Sequence, residues 1–222
     1  MICLLVVAKA PVAGLAKTRL CPPATAEQAA DIAAAALLDT LDAVAAVRDA
    51  MPVVAMTGEL AMASRREEIT RALAGTTVIP QWGDDFPNRL ANAHADAATR
   101  YPGLPVLQIG MDTPQVDGPA LESAVERLAG YDAVLGPAMD GGWWALGLRD
   151  PRAADVLRAV ATSRSDTGAR TRLALAEAGL RVGTLPTLSD VDVVEDARLV
   201  AAQAPGGRFA AAVARLPMVS PR

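Results

Sequence analysis

Histidine is almost missing from this 222-residue chain, which has only His94. A zinc site built on imidazoles needs more than one, and a Ser-His-Asp triad needs that one in a catalytic setting. His94 lies in an Ala-rich helical stretch, where a surface or hydrogen-bonded structural histidine is the plainer expectation. Cysteine is nearly as scarce. Cys3 and Cys21 form no Cys-x-x-Cys spacing and leave no thiols for a metal cage, which predicts free, reduced thiols and a cytoplasmic protein. No apolar stretch approaches the roughly 20 residues of a membrane span, and Met1 to Ala8 lacks the basic start of a secretion signal. Positive charge is short as well: 21 Lys and Arg against 25 Asp and Glu leave a net charge of −4. A general nucleic-acid binder would need a basic face, so nucleic acid is not an expected partner. Two phosphate-binding patterns are missing too. Neither Gly-x-x-x-x-Gly-Lys-Ser/Thr nor Gly-x-Gly-x-x-Gly occurs, which argues against a P-loop NTPase and a dinucleotide-binding Rossmann domain.

What is present is a chain with 52% hydrophobic residues, enough for a substantial core. Apolar runs rich in Val, Ile and Leu recur at Ile2–Val7, Pro52–Met56, Thr76–Ile79, Val106–Ile109, Ala133–Leu135, Trp143–Leu148 and Arg181–Leu185. Ala- and Leu-rich stretches separate them and predict helices at about 26–47, 59–74, 86–100, 118–129, 151–160, 167–179 and 195–204. Thr25-Ala26-Glu27-Gln28 has the pattern of a capping box and places the first helix start near Ala26. Strand alternating with helix implies an α/β fold, a mainly parallel sheet with helices on both faces. Between Tyr131 and Arg149 there is no room for a crossover helix, so that pair of runs is expected to be antiparallel or loop-linked. The expected organisation is one domain over 1–222. Its nucleotide-binding part covers about 1–115 and its acceptor part about 116–204, followed by a C-terminal helix and tail over 205–222 with a frayed end at Pro221-Arg222.

Four constellations carry candidate chemistry. The first run opens into Ala8-Lys9-Ala10-Pro11-Val12-Ala13-Gly14-Leu15-Ala16-Lys17-Thr18-Arg19-Leu20, which places backbone N–H groups and cations at a strand's carboxyl end, where open α/β sheets bind phosphorylated ligands. The same composition also suits a solvated strand-to-helix connection. The fourth run ends in Gly110-Met111-Asp112-Thr113-Pro114, facing the same sheet edge. A carboxylate beside a diphosphate calls for a divalent cation such as Mg²⁺ between them, although Asp112 also suits an Asx turn. Third, Asp140-Gly141-Gly142-Trp143-Trp144 offers close backbone approach and an apolar floor for a sugar or base, or alternatively an ordinary hairpin turn. Last, Asp190 and Asp192, two apart, point the same way if the segment is extended and offer a further metal ligand. Asp192 with Glu195 equally fits a helix N-cap.

Taken in order, Pro11-x-x-Gly14-x-x-Lys17-Thr18-Arg19-Leu20, Gly110-x-Asp112-x-Pro114, Gly136-Pro137-x-x-Asp140-Gly141-Gly142 and Asp190-x-Asp192-x-x-Glu195-Asp196 resemble the DUF2064 family. Its members are often labelled glycosyltransferases of arsenosugar-biosynthesis type, within the GT-A nucleotide-diphospho-sugar transferase superfamily. The resemblance implies a GT-A fold and the transfer of a sugar from a nucleotide-diphosphate sugar to a small-molecule acceptor, with Mg²⁺ or Mn²⁺. The alternative on this fold is nucleotidyl transfer from an NTP to a phosphorylated small molecule. Ala8, Lys9, Pro11, Gly14, Lys17, Arg19 and Arg89 would then hold nucleotide and phosphates, and Asp112 and Asp192 the metal. Gly141, Gly142 and Trp143 would line the sugar or acceptor pocket, with Asp140 as acceptor-side base. The chain departs from the family's Leu-Gly-x-Arg, reading Phe86-Pro87-Asn88-Arg89 instead.

Overall fold

In the computed structural model, which describes residues 1–217, seven strands form one sheet in the order β3-β2-β1-β4-β6-β5-β7. The strands are β1 (Ile2–Lys9), β2 (Ala50–Thr57), β3 (Thr77–Pro80), β4 (Val106–Gly110), β5 (Ala133–Pro137), β6 (Trp143–Leu148) and β7 (Val182–Thr184). All neighbours pair in parallel except β6, which runs against both β4 and β5, as the short Tyr131–Arg149 interval requires. From β1 the chain steps outward to β2 and β3 and then returns to the other side of β1 as β4. The order therefore reverses between β1 and β4, and the crevice at the carboxyl ends of those two strands is where such sheets hold ligands.

Helices cover both faces because β1 is apolar on both. Leu4, Val6 and Ala8 pack in one core cluster with Leu37 and Leu41, while Cys3, Leu5 and Val7 pack in another with Leu90, Ala93 and Leu157. Leu37 and Leu41 belong to α1 (Ala26–Ala46), whose start is fixed by the expected capping box. Gln28 N donates to Thr25 Oγ1 at 3.2 Å and Thr25 N donates to Gln28 Oε1 at 2.9 Å. Leu90 and Ala93 belong to α3 (Phe86–Arg100), capped by Asp85 with Pro87 in its first turn, and α4 (Gly118–Ala129) is capped in the same manner by Asp117. A third cluster joins Leu20 and Ile32 to Val194 and Phe209, docking α6 (Val194–Gln203) and α7 (Arg208–Val213) on α1.

Two helical expectations are corrected. The stretch 59–74 breaks into a 3-10 turn (Leu60–Met62) and α2 (Arg66–Ala72), because Arg65 adopts a left-handed φ of 50°. Ser64 N donates to Pro11 O at 2.9 Å, and the Arg65 guanidinium grips Asp31 of α1 at 2.6 and 2.9 Å, so long-range partners set the break. The stretch 151–160 is a 3-10 helix (Pro151–Ala159) rather than an α-helix. Its buried residues Pro151, Ala154 and Leu157 recur every third position, which is the 3-10 period. The helix expected near 167–179 forms as α5 (Thr167–Glu177). Among the described residues no helix is long and apolar enough to cross a membrane. The frayed end expected at Pro221-Arg222 lies outside the described residues.

Candidate active site at the β1–β4 crevice

The loop after β1 is built by its own backbone. Leu15 N and Ala16 N both donate to Val12 O at 3.0 Å, and Gly14 takes φ 76° with open space around it, so glycine serves conformation there rather than clearance. Lys9 Nζ folds back onto Leu15 O at 2.7 Å and stays within the loop. Ala8 is buried, and its carbonyl accepts from Gln81 Nε2 at 2.8 Å. The same nitrogen donates to Ala55 O at 2.8 Å, so Gln81, which the sequence reading passed over, braces the ends of β1 and β2. Arg89 lies in the first turn of α3, where its Nε donates to Gly83 O at 3.3 Å. Leu20, fully buried against α1, anchors the far end of the loop.

Between these anchors Lys17 adopts φ 49°, a left-handed conformation uncommon for a residue with a Cβ. Its Nζ lies 2.9 Å from Asp112 Oδ1 and also donates to Val191 O, and the side chain is only 13% exposed. Arg19 reaches outward to Asp192 Oδ2 at 2.9 Å. Two of the four expected phosphate-binding cations and the two expected metal ligands are thus brought together as two ion pairs, whereas Lys9 and Arg89 bond backbone carbonyls instead.

The segment carrying Asp190 and Asp192 is pinned across the sheet edge. Val191 N donates to Asp112 O at 3.1 Å, Leu188 N to Pro137 O at 3.1 Å, Met139 N to Leu188 O at 3.0 Å, and Gln115 Nε2 to Ser189 O at 2.6 Å. This path brings Asp140, Asp190 and Asp192 together, with a carboxylate oxygen from each lying within 4.8 Å of the others. The Asp190 carboxyl is pushed up to about 6, first by burial and then by the Asp140 and Asp192 charges, against the pull of a backbone hydrogen bond and of Lys17. Asp192 does not cap α6. That helix begins one turn position later, with Asp196 Oδ2 accepting from Asp192 N and Val193 N at 3.2 and 3.0 Å, which leaves the Asp192 carboxylate to the site.

Asp140 Oδ1 accepts from Gly142 N at 2.7 Å. Gly141 and Gly142 lie under the start of α5, with Gly168 N donating to Gly141 O at 2.8 Å. Together with Ser165, Gly168 and Arg172 they line a cleft of about 260 Å³. The neighbouring tryptophans do not share a floor, because adjacent strand residues face opposite sides. Trp143 packs into the core on the α3 side, whereas Trp144 faces the α4 side, donates from Nε1 to Pro186 O at 2.9 Å and borders a groove of about 430 Å³. Trp143 lines neither cleft. His94 is fully buried, its Nε2 2.9 Å from Gln108 Oε1, and stands apart from the site as a structural residue.

Comparison with known proteins adds an independent line. A chain from Desulfovibrio desulfuricans G20, described as a candidate nucleotide-diphospho-sugar transferase, superposes with a TM-score of 0.79 at 24% identity, covering 99% of this chain and 100% of that one. A CMP:2-keto-3-deoxy-manno-octonic acid synthetase complexed with CTP superposes at 0.54, with 12% identity over 92% of this chain and all of the other. The 4-diphosphocytidyl-2C-methyl-D-erythritol synthase of Anaerococcus prevotii superposes at 0.58, with 11% identity over 92% and 96%. No curated protein matches. At these identities the likeness is one of fold. The family model "Uncharacterized protein conserved in bacteria (DUF2064)" matches residues 40–164, more than half of the sequence and including both Asp112 and the Asp140-Gly141-Gly142 turn, and the chain belongs to that family.

Proposed function

We propose that this protein is a transferase that uses a nucleotide-activated substrate, and specifically that it moves a sugar from a nucleotide-diphosphate sugar to a small-molecule acceptor. The observation that carries the reading is the meeting of Lys17 and Arg19 with Asp112, Asp190 and Asp192 at the β1–β4 crevice. The names of the three neighbours given above, a candidate nucleotide-diphospho-sugar transferase, a CMP-sugar-acid synthetase complexed with CTP and a diphosphocytidyl-methylerythritol synthase, support the same class. The donor set fits a hard divalent cation, Mg²⁺ or Mn²⁺: every atom offered is a carboxylate oxygen, and the crowding that lifts Asp190 would be relieved by positive charge. Asp190 and Asp192, which cluster with Asp140, would hold the cation together with Asp112, tied to the same segment by the Val191 N–H to Asp112 O bond, and the chemistry of the cation would be to neutralise charge on the leaving diphosphate.

The chain's own groups account for the rest. Lys17 and Arg19 bind diphosphate oxygens and stabilise the charge that develops as the sugar–phosphate bond breaks. An acceptor hydroxyl forms the new bond to the anomeric carbon, the nucleoside diphosphate leaves with the bonding electrons, and Asp140 takes the hydroxyl proton. Asp140 suits that role because it is the exposed member of the three clustered carboxylates, beside the cleft lined by Gly141 and Gly142.

Nucleotidyl transfer from an NTP, with pyrophosphate leaving, is the second reading, supported by the CTP-complexed synthetase among the neighbours. A thermal-shift panel of NTPs and nucleotide-sugars, with and without Mg²⁺ or Mn²⁺, separates the two, since a ligand bound only by the native state raises its apparent stability. Metal-dependent stabilisation by a nucleotide-sugar is expected. Stabilisation by an NTP alone, with pyrophosphate release on adding a phosphorylated acceptor, would replace the first reading with the second.

A further inference from the structure

The ion pairs of the site carry a consequence that rests on the reading above. Lys17 Nζ donates to Val191 O and forms an ion pair with Asp112 Oδ1 at 2.9 Å, in a side chain almost enclosed by the crevice. Arg19 spends one fork of its guanidinium on Asp192. Asp112 and Asp192 therefore already carry positive partners, and an ammonium and a divalent ion on one carboxylate repel each other at short range. Val191 clasps both members of the first pair, its N–H donating to Asp112 O and its carbonyl accepting from Lys17, and as the residue before Asp192 it links that pair to the second through the backbone.

We propose that Lys17 and Arg19 act as built-in counter-cations that latch the 10–20 loop to the carboxylate segment, and that a diphosphate opens the latch by claiming both. Cation and diphosphate then bind cooperatively: the diphosphate frees Asp112 and Asp192 for the metal, and by linkage the metal raises affinity for the diphosphate by the same factor. Lys17 carries most of the effect, since its partner contact is the more enclosed, with 13% of its side chain exposed against 73% for Arg19. The left-handed backbone at Lys17 adds a local bias toward rearrangement once its two contacts are released.

The test is a titration of the full chain with Mn²⁺ alone, reading free aqueous Mn²⁺ by its paramagnetic resonance signal. Lys17→Met is expected to bind Mn²⁺ about tenfold more tightly than the parent, and Arg19→Gln to show a smaller gain. Lys17→Gln, which keeps polar donors but no charge, should behave like Lys17→Met and serves if the latter does not fold. With saturating inorganic pyrophosphate, and with the Mn²⁺ that pyrophosphate binds by itself subtracted from a protein-free titration, parent and variants should converge, because the latch is already open in the parent. Variants that bind Mn²⁺ alone no more tightly than the parent would overturn the latch while leaving the metal site standing. Absence of Mn²⁺ binding in every variant and in the parent, with pyrophosphate present, would overturn the carboxylate site itself and the latch with it.

Discussion

Gly141 passes so close under Ser165 that a β-carbon at position 141 would lie 1.9 Å from the Ser165 carbonyl oxygen. Gly141 also takes φ 88°, so the turn that carries Asp140 is shaped by glycine for two separate reasons, clearance and backbone conformation. Gly168 mirrors the constraint from above, with a β-carbon position 2.5 Å from Gly142 O.

Gly141→Ala should therefore destabilise the fold by about 2 kcal/mol or more, combining left-handed strain with overpacking. Gly14→Ala is the matched control. It shares a positive φ but faces open space, so its cost should be near 1 kcal/mol. Urea unfolding measures both, and equal losses would show that the packing of α5 on the Asp140 turn is unimportant.

Asp112→Asn removes a charge at a strand end rather than in the core, with 44% of the side chain exposed. Its effect on stability should stay under about 1 kcal/mol, the scale of a partly exposed ion pair. Metal-dependent binding of a nucleotide-sugar should be abolished. Unchanged metal dependence in calorimetry, with an intact melting transition, would remove Asp112 from the metal site.

Lys17→Ala should weaken binding of a nucleoside diphosphate far more than binding of the nucleoside, because the ammonium addresses phosphate charge and not the base or ribose. Comparing the two dissociation constants in parent and variant checks this. An equal loss for both ligands would assign Lys17 to loop architecture instead.

Much of this arrangement was legible in local sequence. Seven apolar runs became seven strands because each is short and bounded by turn residues, and Thr25 with Gln28 marked the start of α1 within one turn. Asp112 was placed at the right edge because a Gly-x-Asp-x-Pro sequence must leave the strand there. Other features depend on partners far away in the chain. Ser64, bonded to Pro11, and Arg65, paired with Asp31, break a helix whose own residues favour it. Asp140 reaches Asp190 only because Leu188 bridges to Ala138 beside β5, a pairing across 50 residues that no spacing announces. The separate fates of Trp143 and Trp144 follow from strand alternation once β6 is known, yet the pair reads in sequence as a single aromatic surface.

His94 gives a pH prediction that one spectrum can check, since it is the only histidine. Burial pushes its pKa down to about 4, against the opposing effect of its hydrogen bond to Gln108, and its Nδ1 is buried with no partner. The unfolded chain takes up that proton near pH 6.5 while the native protein does not, so the contribution of His94 to stability is complete above pH 6.5 and declines as pH falls toward 4. The full loss is on the order of 3 kcal/mol. Asp190 works in the opposite sense: its raised pKa lets the native state take up a proton first, which adds stability as pH falls through 6. A net unfolding curve mixes the two, whereas the imidazole resonances report His94 alone. They should remain those of a neutral ring from pH 7 down to about pH 5 in the folded protein. Titration of the native signal near pH 6.5 would mean that the ring reaches water, and that its contact with Gln108 between α3 and β4 does not seal the core.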